Sequence, residues 1–226
     1  MEKLIYVLAG PQDEVVGRVE RLAADVVPAA REVGGERIAL LLPDEFDAIR
    51  ERNPTRLMGA HDQVAAIFEC WLPTLDSRSA IEVALSRHAE ALWGYLVTES
   101  TMVPCPHDWA DGDRVPGISQ CTINDKPAAV SLDDFYREWS VHSEISFGLH
   151  PHRESYIRNA VARSLTEVAP RYLGVVVERF PSLDHFVEDS LYFGDPAVLK
   201  EMFEHSPTFF EFEGAISGGF SEFRWR

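Results

Sequence analysis

The sequence predicts an α+β fold in which the order β-α-β-β-α-β occurs twice along one chain. Three observations predict it. Short, nearly continuous apolar runs alternate with longer stretches whose apolar residues recur at helical spacing. A polar segment punctuated by Asp-Gly and Pro-Gly, residues 107–117, separates two sets of such elements. Two stretches also match locally, IFECWLPTLDS at 67–77 and VVERFPSLDHF at 176–186. Each sits where the third strand of its set runs into the second helix.

In the first set, residues 3–9 (KLIYVLA) read as a buried strand. Residues 12–33 carry Val15, Val16, Val19, Leu22, Ala23 and Val26 at helical spacing, and Gly34-Gly35 stops that helix. Residues 36–42 (ERIALLL) are a second apolar run, ended by Pro43-Asp44. The charged segment that follows, with Asn53-Pro54, reads as a loop or a short helical excursion. Residues 63–72 (QVAAIFECWL) make the third strand. Asp76 or Ser77 caps a helix carried by Ile81, Ala84, Leu85, His88, Leu92 and Leu96. Residues 101–105 (TMVPC) are a weak fourth strand whose Pro104 suits an edge or a bulge.

The second set repeats the order. Residues 118–124 (ISQCTIN) are a strand, and 131–147 are a helix with Leu132, Phe135, Trp139 and His142 on one face. Residues 155–164 and 173–180 are strands. Ser182 or Asp184 caps a helix with His185, Phe186 and Val187, and another helical piece follows Asp195-Pro196. Residues 215–225 close with a strand. Each set is the split βαβ pattern of ferredoxin-like folds, so the chain divides into residues 1–110 and 111–226. Such a sheet has helices on one face only, yet these strands are apolar on both faces. Leaving the bare face in water would forfeit about 25 cal/mol for each Å². The two tandem ferredoxin-like β-α-β-β-α-β halves are therefore expected to press these faces together, forming an intrachain α+β barrel. Its interior would be concave and mostly apolar, which suits a small ligand.

Composition narrows the function classes. The formal net charge is −16, from 37 acidic and 21 basic residues, which excludes nucleic acid as a natural partner. The N-terminal apolar run is followed at once by Pro11, Asp13 and Glu14, too soon for a signal peptide or a membrane span. The three cysteines, Cys70, Cys105 and Cys121, form no CxxC and no even framework, so a reducing, cytoplasmic setting is expected. There is no GxGxxG, P-loop, GxSxG or HExxH, and no cofactor or metal is indicated. His150-Pro151-His152 lacks a third ligand and reads as a solvated loop. His88 reads as a boundary histidine, and Cys70 and Cys121 as small core residues.

One segment carries a pattern: Phe135, then Trp139, His142 three residues on, a variable loop, and Tyr156-x-x-Asn159 opening the next strand. This resembles the EthD-like family of dimeric α+β barrel proteins, here in tandem. VVERFPSL at 176–183 and IFECWLPTL at 67–75 resemble a later stretch of the same family. The resemblance covers most of residues 118–226 and, more weakly, 1–105. It departs at Ser143-Glu144 and Ala160, and the helix at 13–32 has no His or Trp, so the first half is the degenerate one. Flanking the expected cavity, His142 reads as a general acid/base and Tyr156 as the group polarising a carbonyl. The pattern makes Phe135, Trp139 and Asn159 candidate ligand-binding residues, and Arg158, on the strand face of Tyr156, is a further candidate. Strand alternation sets Asn159 opposite Tyr156 and Arg158 unless a bulge intervenes. The function expected is binding of a small apolar oxygenated molecule in a barrel pocket by a cofactor-free lyase, cyclase or isomerase. The alternative is a non-catalytic small-molecule or haem-binding accessory to an oxygenase pathway. A homodimer stays open, since the tandem satisfies itself.

Overall fold

Continuous apolar runs too short for helices become strands, and in this chain eight of them close a barrel. The computed structural model describes residues 1–226 except 13–16, 44, 107 and 109, and except the side chain of Phe46. Val15, Val16 and Asp44, which the sequence reading used, therefore lie outside the described residues. The first half supplies β1 (Glu2–Ala9), β2 (Glu36–Leu42), β3 (Val64–Leu72) and β4 (Ala91–Val103). The second supplies β5 (Arg114–Asn124), β6 (Ser155–Ser164), β7 (Gly174–Phe180) and β8 (Ile216–Trp225). The order around the barrel is β1-β3-β2-β8-β5-β7-β6-β4, all antiparallel, with β4 returning to β1. Both halves thus have their fourth strand beside the first, then the third, then the second. They join at two hydrogen-bonded seams, β2 with β8 and β4 with β6. The bare faces are hidden by one sheet closing on itself, which leaves no free edge.

Alternation explains why the runs are apolar throughout. On β1, Leu4, Tyr6 and Leu8 face outward against α1 (Arg18–Glu32) and α3 (Ser79–Ser86), meeting Leu22, Val26, Ile81 and Leu85. Ile5 and Val7 face inward and meet Ile67, Tyr95, Cys121, Ile123, Val175 and Phe220, drawn from both halves. These side chains fill the apolar end of the interior. The other end carries buried charge. Lys3 pairs with Glu69 and Glu99, and Arg179 and Arg224 pair with Glu222. Burial favours a neutral Lys3, but Glu69 and Glu99 outweigh it and hold the ammonium above its ordinary pKa.

The helix expected to run through Leu92 and Leu96 stops at Ser86, and β4 begins at Ala91. A spacing of four residues fits a helix face and also one face of a strand, and here the strand wins. Leu92 and Leu96 face outward and Tyr95 and Val97 inward. Gly94 lets β4 lie against Tyr6, since a Cβ there would stand 2.6 Å from the Tyr6 ring. The expected weak strand at 101–105 is the end of this 13-residue strand.

In the second half α4 (Leu132–Leu149) starts at Ser131, whose Oγ accepts from the Asp134 N–H. Two short helices, α5 (Leu183–Val187) and α6 (Asp189–Tyr192), lead to α7 (Pro196–His205). Asp195 caps α7 and Pro196 occupies its first turn. In the charged segment of the first half lies α2 (Phe46–Arg52), the helical excursion expected there. Among the described residues no helix is long and apolar enough to cross a membrane.

Candidate functional site

The candidate site lies on the outer face of the second-half sheet, beneath α4 and α7. The apolar stripe of α4 seats it there. Phe135 and Trp139 are buried with ring centroids 5.3 Å apart, and Phe209 lies 6.1 Å from Phe135. Trp139 rests over Gly174 of β7, where a Cβ would stand 3.0 Å from its ring. Beside this contact a cavity of about 400 Å³ opens between sheet and helices. That size falls within the roughly 300–1,000 Å³ of small-molecule sites. Its floor is polar: Gln120, Thr122 and Asn124 alternate along β5 beside Tyr156 and Glu178. Its roof is apolar, from Leu199, Met202 and Phe203 of α7 and Phe209, Phe210 and Phe212 just beyond it.

His142 projects from α4 into this wall. Its ring lies 4.7 Å from Phe209 and 5.6 Å from His205, centroid to centroid. His205 is held in turn by Glu138, 3.1 Å away. Nδ1 of His142 is buried and meets no hydrogen-bond partner among the described residues. Burial first, and the charge of His205 second, pull its pKa from 6.5 to about 4. The imidazole is therefore neutral at neutral pH.

Tyr156 belongs to a separate chain of hydrogen bonds. Ser143 Oγ donates to the Trp139 carbonyl at 2.8 Å and accepts from Arg158 Nη1 at 3.0 Å. With that proton used, the 2.8 Å contact between Ser143 and Tyr156 has the phenol as donor. Burial, then Glu178, raises the Tyr156 pKa, so the phenol keeps its proton. Arg158 lies 4.3 Å over the Trp139 ring, and Arg153 lies 4.2 Å over Tyr156. Burial alone would raise the Glu178 pKa, but Arg153, 2.5 Å away, and His150 hold it below its usual range. His150 donates from Nδ1 to the Tyr192 carbonyl at 3.0 Å.

The structure thus brings Trp139, His142 and Tyr156 to one cavity, with Arg158 alongside and Phe135 behind them in the core. Asn159 is parted from this group. It is fully buried on the inner face of the sheet, its Nδ2 donating to the Val175 carbonyl at 3.1 Å. The β6–β7 register runs without interruption, so no bulge turns it round. The sequence reading did not reach Glu178, Arg153, His205 or the aromatic roof. Two signals were available: the alternating polar residues of ISQCTIN, and the density of phenylalanine in TFFEF at 208–212. His152 and His185 lie with ring centroids 4.8 Å apart, away from this cavity. Among the described residues no three His, Cys, Asp or Glu side chains are placed to hold a metal. His88 pairs with Asp25 at 2.8 Å, and Cys70, Cys105 and Cys121 are free thiols.

No family model matches the chain, and no curated protein matches it in sequence. Solved structures do share its fold. An anthrone oxidase-like protein superposes with a TM-score of 0.57 at 7% identity, covering 99% of this chain and 93% of that one. A proposed monooxygenase from Fusobacterium nucleatum gives 0.53 at 9% identity, covering 100% and 92%. A variant of the chlorite dismutase from Candidatus Nitrospira defluvii gives 0.51 at 12% identity, covering 97% and 91%. These likenesses establish the class, a ferredoxin-like α+β barrel. At such identities they say nothing of chemistry.

Proposed function

We propose that this chain binds a small, largely apolar, oxygen-bearing molecule between α4, α7 and the second-half sheet, and that His142 moves a proton on it. The observation that carries the reading is a neutral imidazole with an unpartnered, buried Nδ1 in the wall of an apolar-roofed cavity. A pKa near 4 makes the resting imidazole a weak base. A proton taken from the ligand would leave an enolate or phenolate beside the new imidazolium. That ion pair opposes the burial that depresses the pKa, so the base strengthens as the reaction proceeds. Trp139 gives the ligand a flat wall, and the polar floor offers hydrogen bonds to one edge. Tyr156 supports the wall through Ser143 and would reach a ligand carbonyl only by leaving that bond.

In this reading the chain is an EthD-like tandem, with residues 111–226 bearing the site and 1–110 the degenerate half. The fold hosts proteins named monooxygenase and anthrone oxidase-like, which supports a small organic ligand. Haem is the other ligand to weigh. A ligating histidine normally has an acceptor behind its second nitrogen. Nδ1 of His142 meets none among the described residues, and Phe209 and His205 crowd the ring. These residues do not fit haem.

The test is a thermal-shift screen with small phenols, quinones, cyclic ketones and haem, followed by turnover of whatever binds. A ligand at 100 times its Kd should stabilise the fold by about 2.7 kcal/mol. Met202→Trp, which fills the cavity, should abolish the shift. His142→Ala should keep the fold and the binding while losing at least a hundredfold in turnover. Turnover indifferent to His142→Ala would sink the catalytic role.

A further inference from the structure

A second cavity, of about 420 Å³, opens at the charged mouth of the barrel, on the inner side of the sheet. Its floor is the triad already met. Lys3 Nζ stands 2.8 Å from Glu69 and 2.7 Å from Glu99, and all three side chains are at most 12% exposed. Glu69 Oε1 is buried and meets no donor among the described residues. Arg224 and Arg226 also line this cavity, and Arg224 shares Glu222 with Arg179, so the buried layer of three cations (Lys3, Arg179, Arg224) and three carboxylates (Glu69, Glu99, Glu222) balances as a whole.

Arg37 stands outside that balance. Its side chain is 63% exposed, yet the guanidinium is held 4.8 Å over the Trp71 ring and 3.5 Å from Glu99 Oε1. Its backbone has φ 51°, in the left-handed region that a residue with a side chain enters only at a cost. It lies where the β2–β3 register shifts, between Glu36 and Ala39. Such an irregularity re-aims a side chain, and here it lays a cation between an aromatic face and a carboxylate. A 3.5 Å ion pair to an exposed arm is a weak hold. The features that receive the arm are better suited to a compact ligand: the face of Trp71, the Glu99 carboxylate and the unmet Glu69 oxygen. All three favour a cation that carries N–H donors.

We propose that the barrel mouth is a binding site for a small organic cation, an alkylguanidinium or primary alkylammonium, which takes the place of the Arg37 guanidinium between Trp71 and Glu99. Arg37 then acts as an internal competitor that the ligand must displace. This site is independent of the cavity beneath α4 and α7.

Calorimetric titration at low salt tests it, with methylguanidinium and n-butylammonium as probes and butyrate as the anionic control. The wild-type protein should bind the cations and not butyrate. Arg37→Gly, which removes the competitor and relieves the backbone, should bind them about tenfold more tightly. Trp71→Leu in the Arg37→Gly background should lose that gain, with circular dichroism verifying the fold. Loose attraction to an acidic surface would ignore Trp71. Undiminished binding by the double variant, equal binding of butyrate, or no binding by Arg37→Gly would each overturn the proposal.

Discussion

Burial keeps the His142 imidazole neutral at neutral pH, the state that the proposed proton transfer requires. The same burial ties the residue to stability. In the unfolded chain the imidazole titrates near 6.5, and in the folded protein near 4. Between those values the unfolded state binds more protons, so stability rises with pH there and falls as the solution is acidified. The contribution is complete above about pH 6.5 and is lost on the way down to about pH 4, on the order of 3 kcal/mol over the whole interval. His150, also lowered by burial, acts in the same direction. Urea midpoints measured at pH 7 and pH 4.5 should therefore differ markedly for the wild type and by clearly less for His142→Gln. An equal acid loss in both would mean that His142 is solvated. At this scale the sequence was partly legible. Helical spacing joined Phe135, Trp139 and His142, and strand alternation separated Asn159 from Tyr156. Neither could show that Ser143 takes the Tyr156 hydroxyl or that His205 stacks on His142. Those partners are assembled by packing between distant segments.

Helix α4 sits close to its sheet because one position of β7 has no side chain. A Cβ at Gly174 would meet Asn124 Oδ1 at 2.9 Å and the Trp139 ring at 3.0 Å. Gly174→Val should therefore lift Trp139 and tilt the wall that carries His142. The expected cost is about 1–3 kcal/mol of stability. Loss of ligand-induced stabilisation and a shifted Trp139 fluorescence should accompany it. Stability and binding both within error of wild type would show that α4 is not seated on this glycine. Element order was legible from apolar periodicity nearly throughout, and the exception has a physical cause. From Leu85 to Leu96 the apolar spacing suits a helix and a strand equally. What decides is the space Tyr6 takes beside Gly94, a contact between β1 and β4 that no local window contains.

Closure of the barrel poses the problem of partner choice. Each seam joins the second strand of one half to the fourth strand of the other, β2 with β8 and β6 with β4. Main-chain geometry alone would let two copies of one half make both seams equally well. The buried charge layer discriminates. The first half contributes Lys3 against Glu69 and Glu99, an excess of one carboxylate. The second contributes Arg179 and Arg224 against Glu222, an excess of one cation. Within one chain the two excesses cancel, whereas pairing either half with itself would bury two like charges without compensation. Unpaired buried charge is costly enough to act as a specificity device. Residues 1–110 and 111–226 produced separately should each expose the apolar inner faces now shared, including Ile5, Ile67, Val175 and Phe220. Neither should persist as a folded monomer. Mixed, they should form the heterodimer well in excess of a statistical distribution, as read by native mass spectrometry. Raising the salt should erode that preference little, because the charges lie inside the barrel. A Lys3→Met, Glu69→Gln, Glu99→Gln first half has lost its charge excess, so it should pair with itself in preference to the second half, whose extra cation it no longer compensates. A statistical mixture from the unaltered halves would mean that the buried charges do not select the partner.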